Sequence, residues 1–135
     1  GIANDVNALG YLPLAYFSEN QAKLKAVAVI NKAGQKAELP SRATVEDGTY
    51  QPLSRPVFIY VSSKSLQRPE VKEFAQFYLQ NASAIVPDVK YVALPKAAYD
   101  LSLQNLNNNK LGTVFKGHAE VGLKIEDLLK REGAM

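Results

Sequence analysis

Two prolines, Pro52 and Pro56, lead into an unbroken run of β-branched and aromatic residues, Val57-Phe58-Ile59-Tyr60-Val61. Each proline fixes φ and pushes the preceding residue out of the helical region, so Tyr50 to Arg55 is expected to run extended. The run after Pro56 is too short to span a bilayer and too apolar for a strand with one wet face. It predicts an interior strand covered on both faces, as in parallel or mixed sheets. Pro56 suits the first position of such a strand, where a missing N–H is tolerated.

The chain has 135 residues, enough for one ordinary domain, with 47% apolar and 21% charged side chains. No apolar stretch approaches the roughly 20 residues of a membrane-spanning helix. A net charge of +3, scattered along the chain, makes no basic stripe and argues against nucleic acid as a partner. The absence of cysteine removes disulfides, thiolate metal sites and cysteine nucleophiles without fixing a compartment. Gly1-Ile2-Ala3-Asn4 is not how a reading frame opens, so this sequence is expected to be a piece of something longer or a processed product.

Strands and helices are expected to alternate, an α/β pattern. Ala8 to Leu12 reads as a strand whose Gly10 marks a close approach of backbone to another group. Ser18-Glu19-Asn20-Gln21 has capping-box spacing and predicts a short helix through about Lys23. Val27 to Ile30 reads as a strand before a turn at Asn31-Lys32-Ala33-Gly34. One helical turn is expected between Ser41 and Asp47, stopped by Gly48. Pro69 fits the first position of a long helix in which Val71, Phe74, Ala75, Tyr78, Ala82, Ile85 and Val86 recur at helical spacing, and Pro87 ends it. Burial of Phe74 and Tyr78 is expected to contribute on the order of 2 kcal/mol each. Lys90 to Leu94 reads as extended, Lys96 to about Asn107 as a helix running into Asn107-Asn108-Asn109, and Lys110 to Phe115 as a strand. A last helix over Lys124 to Arg131 carries acids early and bases late, as its dipole prefers, with Gly133 past its end.

Residues able to carry chemistry are few. His118 is the only histidine, between Gly117 and Ala119 in a turn, and reads as a surface residue. No local cluster would complete a metal site or a triad around it. Gly112 to Gly117 begins like a phosphate loop, but His118 and Ala119 stand where lysine and a hydroxyl residue are required. The adjacent acids Glu46-Asp47 and Glu126-Asp127 fit helix ends. Ser54 and Arg55 are the polar pair in a telling place, at the mouth of the expected central strand, where α/β sheets place ligands. Arg55 there can grip an anion through paired N–H groups, or make a surface ion pair or cap a carbonyl.

In order along the chain, several of these stretches resemble the C-terminal part of phosphate-binding proteins of ABC-type phosphate uptake systems, in their cyanobacterial branch. They are Asn7-Ala8-Leu9-Gly10-Tyr11 with Leu14-Ala15-Tyr16-Phe17; Gly48 to Pro56 with Phe58 to Val61; and Pro69 to Val86 with Tyr91-Val92-Ala93-Leu94-Pro95. Gly112-Thr113-Val114-Phe115 and Val121-Gly122 resemble the cyanobacterial tail, and Lys90 stands where the family often has glycine. The resemblance implies a type II periplasmic-binding-protein-like α/β fold, a mixed sheet with flanking helices in two lobes. Residues 1–50 would belong to the second lobe, 51–61 to an inter-lobe crossing strand, and 62–135 to the return to the first lobe and the tail. It implies inorganic phosphate as ligand and a membrane permease as partner, with no catalysis and no cofactor. It further implies a periplasmic location, with attachment through an N-terminal lipid signal outside these residues. The family's anion-holding groups lie earlier in the chain, so no ligand residue is assigned here, and Ser54 and Arg55 stand only as lining candidates. The competing expectation is a stand-alone protein-interaction module of the same fold that binds no phosphate.

Overall fold

The computed structural model describes residues 1–118, Glu120 and 122–134. Its regular elements are five α-helices: α1 Leu14–Glu19, α2 Arg42–Glu46, α3 Pro69–Asp88, α4 Lys96–Asn107 and α5 Ile125–Gly133. Short 3-10 turns occupy Ile2–Asn4 and Ser65–Gln67. Among the described residues no helix is long and apolar enough to cross a membrane.

Helices whose ends are written locally form where the residues place them. Ser41 caps α2 reciprocally: the Thr44 N–H donates to Ser41 Oγ at 3.1 Å and the Ser41 N–H to Thr44 Oγ1 at 3.0 Å. Gly48 then turns the chain with φ of +74°. Pro69 opens α3, whose last turn takes in Pro87 and ends at Asp88, one residue beyond the expected stop.

Beyond α3, Lys90 adopts φ of 64°. The N–H of Lys90 donates to the carbonyl of Pro87 at 2.9 Å, and that of Tyr91 to Val86 at 3.1 Å, a complete Schellman cap. The asparagine run after α4 does the same. Asn109, with φ of 51°, donates to Leu106 at 3.2 Å, and Lys110 donates to Asn105 at 2.9 Å. Lysine pays a steric penalty in this conformation that glycine avoids. Lys90→Gly is therefore expected to stabilise the chain by about 0.5–1 kcal/mol, after the extra freedom glycine gives the unfolded state. Urea unfolding followed by helical circular dichroism checks this, and a loss of stability would show that the Lys90 side chain contributes contacts of its own.

The first helix is displaced from its expected place. It starts after Pro13 rather than at Ser18, and the Phe17 N–H donates to the Pro13 carbonyl at 3.1 Å. Ser18 turns its hydroxyl back to the Leu14 carbonyl at 2.8 Å instead of capping a new helix. Gly10 does mark a close approach, since a Cβ built on it would collide with the Ile2 side chain.

The expected strands do not pair. Among the described residues the only β-bridge is antiparallel, between Val29 and Glu38, with both N···O distances 2.9 Å. It flanks the turn at Asn31 to Gly34, where the Gln35 N–H reaches the Lys32 carbonyl at 3.0 Å. Ala8 to Leu12 and Lys90 to Leu94 enter no ladder, and Lys110 to Phe115 gives way to turns, with Lys116 donating to Thr113 at 3.4 Å. Val57 to Val61 makes no backbone-to-backbone hydrogen bond among the described residues, and Val57 and Tyr60 are 74% and 77% exposed. The interior strand expected there is thus a surface segment in this chain. A helix closes its hydrogen bonds within four residues, whereas a strand needs a partner brought from elsewhere, and these residues supply none.

The packed centre is thin. Ala75 and Ala82 on α3, Ala98 on α4 and Leu128 on α5 are buried, where α3 lies on α4 and α4 on α5. The Gln76 amide donates to Asn107 Oδ1 at 2.8 Å across the first of these contacts. Phe74, expected in the core, is 69% exposed, and Tyr78 and Ile85 are exposed with it. At 100° per residue these three cluster on one edge of α3, roughly 70° around the axis from the Ala75 and Ala82 edge. The apolar arc of α3 is wide, and α4 covers only its small-residue side. The total accessible area is 10003 Å² for 14.8 kDa. A compact monomer of that mass exposes roughly 7,000 Å².

Candidate functional site

An open groove of about 2,410 Å³ runs between Val57 to Val61, Tyr91 to Leu94, and apolar side chains of α3, α4 and α5, Tyr78 and Leu128 among them. Its walls also include Tyr11, Tyr50, Gln51, Ser54 and Arg55. Pockets that enclose a small molecule measure about 300–1,000 Å³, so this space is far too large to hold one anion by shape.

Ser54 and Arg55 do reach the groove, Ser54 half-buried and Arg55 exposed. Among the described residues Arg55 makes neither of its expected structural contacts. Its Nη1 donates to the phenolic oxygen of Tyr11 at 3.0 Å, tying together residues 44 apart in sequence. Burial pushes the nearby Tyr50 phenol above its ordinary value of 10.0, and Tyr11 adds to the rise. Tyr50 therefore stays a neutral donor at physiological pH. Gln51 lies beside them with Oε1 buried and without a hydrogen-bond partner among the described residues, facing Gly122. Around Ser54, the arrangement offers the Arg55 cation and a few neutral donors at an apolar rim. It can meet an anion from one side but cannot surround it.

The sequence pointed to Ser54 and Arg55. It did not point to Tyr11 or Gln51, whose only signals were a tyrosine after the close-approach Gly10 and a glutamine before Pro52. His118 is exposed, its N–H donating to the Phe115 carbonyl at 2.9 Å, away from the Ser54 and Arg55 wall. Among the described residues no group of three or more metal-ligating side chains gathers.

Glu132 on α5 also lines the groove, half-buried, and burial pushes its carboxyl above the ordinary 4.5. A folded-state value above the unfolded one means that stability falls as pH rises through that interval. Glu132→Gln is accordingly expected to be more stable than the parent at pH 7, with the advantage fading below about pH 4.5. Urea midpoints at the two pH values check this; equal midpoints at pH 7 would contradict it.

No family model matches the chain, and no solved structure matches it. Curated proteins do. The chain is 48% identical over 133 residues to the protein SphX of Synechococcus elongatus, covering 98% of this chain and 39% of that protein. It is 45% identical over 135 residues to SphX of Synechocystis sp., covering 99% of this chain and 40% of the relative. The phosphate-binding protein PstS of Staphylococcus haemolyticus is 35% identical over 106 residues, 78% of this chain and 33% of that protein. The chain thus spans about two fifths of the length of the SphX relatives it matches. Over nearly all its residues it is homologous to the C-terminal part of SphX, and it belongs to the family that SphX shares with the PstS phosphate-binding proteins.

Proposed function

We propose that this chain is the C-terminal portion of the solute-binding component of an ABC-type phosphate importer, which captures inorganic phosphate by lobe closure and hands it to a membrane permease. The observation that carries the reading is the near-complete match to SphX at 48% identity, backed by the named phosphate-binding relatives. In this reading the complete fold is a two-lobed α/β receptor of the periplasm, with a mixed sheet in which Val57 to Val61 takes part. Residues 1–50 belong to the second lobe, 51–61 cross between lobes, and 62–135 return to the first. Phosphate favours the closed form only through contacts that form better there than in the open one. The groups that make most of them lie outside this chain.

The exposed apolar groove also fits the second reading, a stand-alone module that docks a protein. The two are separated by a chimera in which the upstream part of Synechococcus elongatus SphX is joined to this chain. Calorimetric titration is expected to give one phosphate per chimera. A chimera that folds yet takes up no phosphate where the parent SphX does would sink the importer reading.

A further inference from the structure

Asp47-Gly48 is the only aspartate–glycine pair in the sequence, and no asparagine precedes a glycine. Such a pair is chemically labile. The Gly48 nitrogen can attack Cγ of Asp47, forming a C–N bond while its proton and one carboxyl oxygen leave as water. Water then reopens the succinimide ring. Opening at the α-carbonyl leaves isoaspartate, with the backbone routed through the side-chain carbons. Glycine in second place makes the attack easiest, since it has no Cβ to hinder its nitrogen. Asp47 is exposed, so water reaches its carboxyl.

The fold ties that carboxyl down. Asp47 Oδ1 accepts from the Thr49 hydroxyl at 2.6 Å and from the Thr49 N–H at 2.9 Å. The same hydroxyl lies 3.4 Å from the Thr44 carbonyl, but its one proton goes to the shorter, charged partner. The two Thr49 donors, the hydroxyl first, hold the carboxyl below its ordinary 3.8, and an ionised carboxylate is a poor electrophile. The attacking side is engaged as well. The Gly48 N–H donates to the Val45 carbonyl at 3.3 Å, and the Tyr50 N–H to Thr44 at 2.8 Å, which pins the turn onto the end of α2.

We propose that Asp47 is a site of spontaneous isoaspartate formation and that Thr49 is the positioning residue that restrains it, by occupying the carboxyl that the Gly48 nitrogen would attack. The consequence reaches the groove. Isoaspartate adds one backbone carbon between Asp47 and Gly48, just ahead of Tyr50 and Gln51, which line the groove wall. The Tyr50 bond to Thr44 spans that link and loses its register, so the modification loosens the wall. None of this depends on the importer reading.

The test incubates the 135-residue chain at mildly acidic pH and follows isoaspartate by peptide mapping, where the modified peptide elutes separately at unchanged mass. The parent is expected to convert slowly, at Asp47. Thr49→Val, nearly the same shape without the hydroxyl, is expected to convert at least about threefold faster, and Thr49→Ser, which restores the donor, at the parent's rate. Thr49→Ala serves beside Thr49→Val, and circular dichroism shows which variants keep the parent's helices. In guanidinium, where the turn is gone, the parent and the Thr49 variants are expected to share one faster rate. Asp47→Glu, whose longer side chain would have to close a larger ring, is expected to abolish the product. Folded Thr49→Val and Thr49→Ala that convert no faster than the parent would overturn the role of Thr49, as would Thr49→Ser converting as fast as they do. A folded parent that converts as fast as it does in guanidinium would overturn it without any variant. Isoaspartate that maps to other aspartates, or none at Asp47 even in guanidinium, would overturn the site.

Discussion

Inorganic phosphate titrated into the isolated chain is expected to give no saturable binding below about 1 mM, whereas completion with the upstream SphX portion is expected to bring binding at least about 1,000-fold tighter. The reason is the number of groups that reach the anion. Arg55 is exposed and already shared with the Tyr11 phenol. A single exposed charge pair in water is worth roughly 0–1 kcal/mol, too little for measurable affinity. Hydrogen bonds to a charged partner contribute about 1.5–3 kcal/mol each when water is excluded. Two or three supplied by the upstream portion therefore account for the 4 kcal/mol that a 1,000-fold gain requires. Isothermal titration reads both states. Micromolar binding by the isolated chain would show that its own residues hold the ligand.

Truncating Leu128 is expected to cost about 2–4 kcal/mol, most of the stability a chain with so thin a core can have. Leu128 is 5% exposed and the only large side chain among the buried hydrophobic residues described, the others being three alanines. Phe74→Ala, by contrast, is expected to change the isolated chain by less than about 0.5 kcal/mol, because an exposed ring loses few contacts. In the completed protein the same Phe74→Ala change is expected to cost about 3–5 kcal/mol, once the aromatic edge of α3 is covered. Urea unfolding of both variants in the isolated chain, and of Phe74→Ala with the upstream portion, measures all three values. A large loss from Phe74→Ala in the isolated chain would contradict the exposed edge.

What the residues disclosed divides by the range of the interactions. The start of α3 and the stop of α2 were readable because Pro69 and Gly48 act within a few positions of themselves, while α3 ran through Pro87 to Asp88. The Ser18 reading failed on the same local scale, since Pro13 offered an earlier start and the chain took it. Val57 to Val61 carries the composition of an interior strand, but composition cannot provide the neighbour that makes it one. Phe74 and Tyr78 fell on the predicted apolar face, and the periodicity could not tell which side of that wide face α4 would take. At the candidate site, Arg55 was visible beside the prolines, while its Tyr11 partner lies 44 residues away with nothing local to link them. The missing anion groups were not legible for a simpler reason, because the resemblance places them outside these residues.

Amide hydrogen exchange at Val57 to Val61, before and after addition of the upstream SphX portion, asks directly whether this segment is a strand awaiting its neighbour. Unpaired and exposed in the isolated chain, these amides are expected to exchange near the unprotected rate, then to slow at least about 100-fold in the complex. Exchange that stays fast in a complex proven to form would mean that the run after Pro56 is a surface segment in the whole protein too.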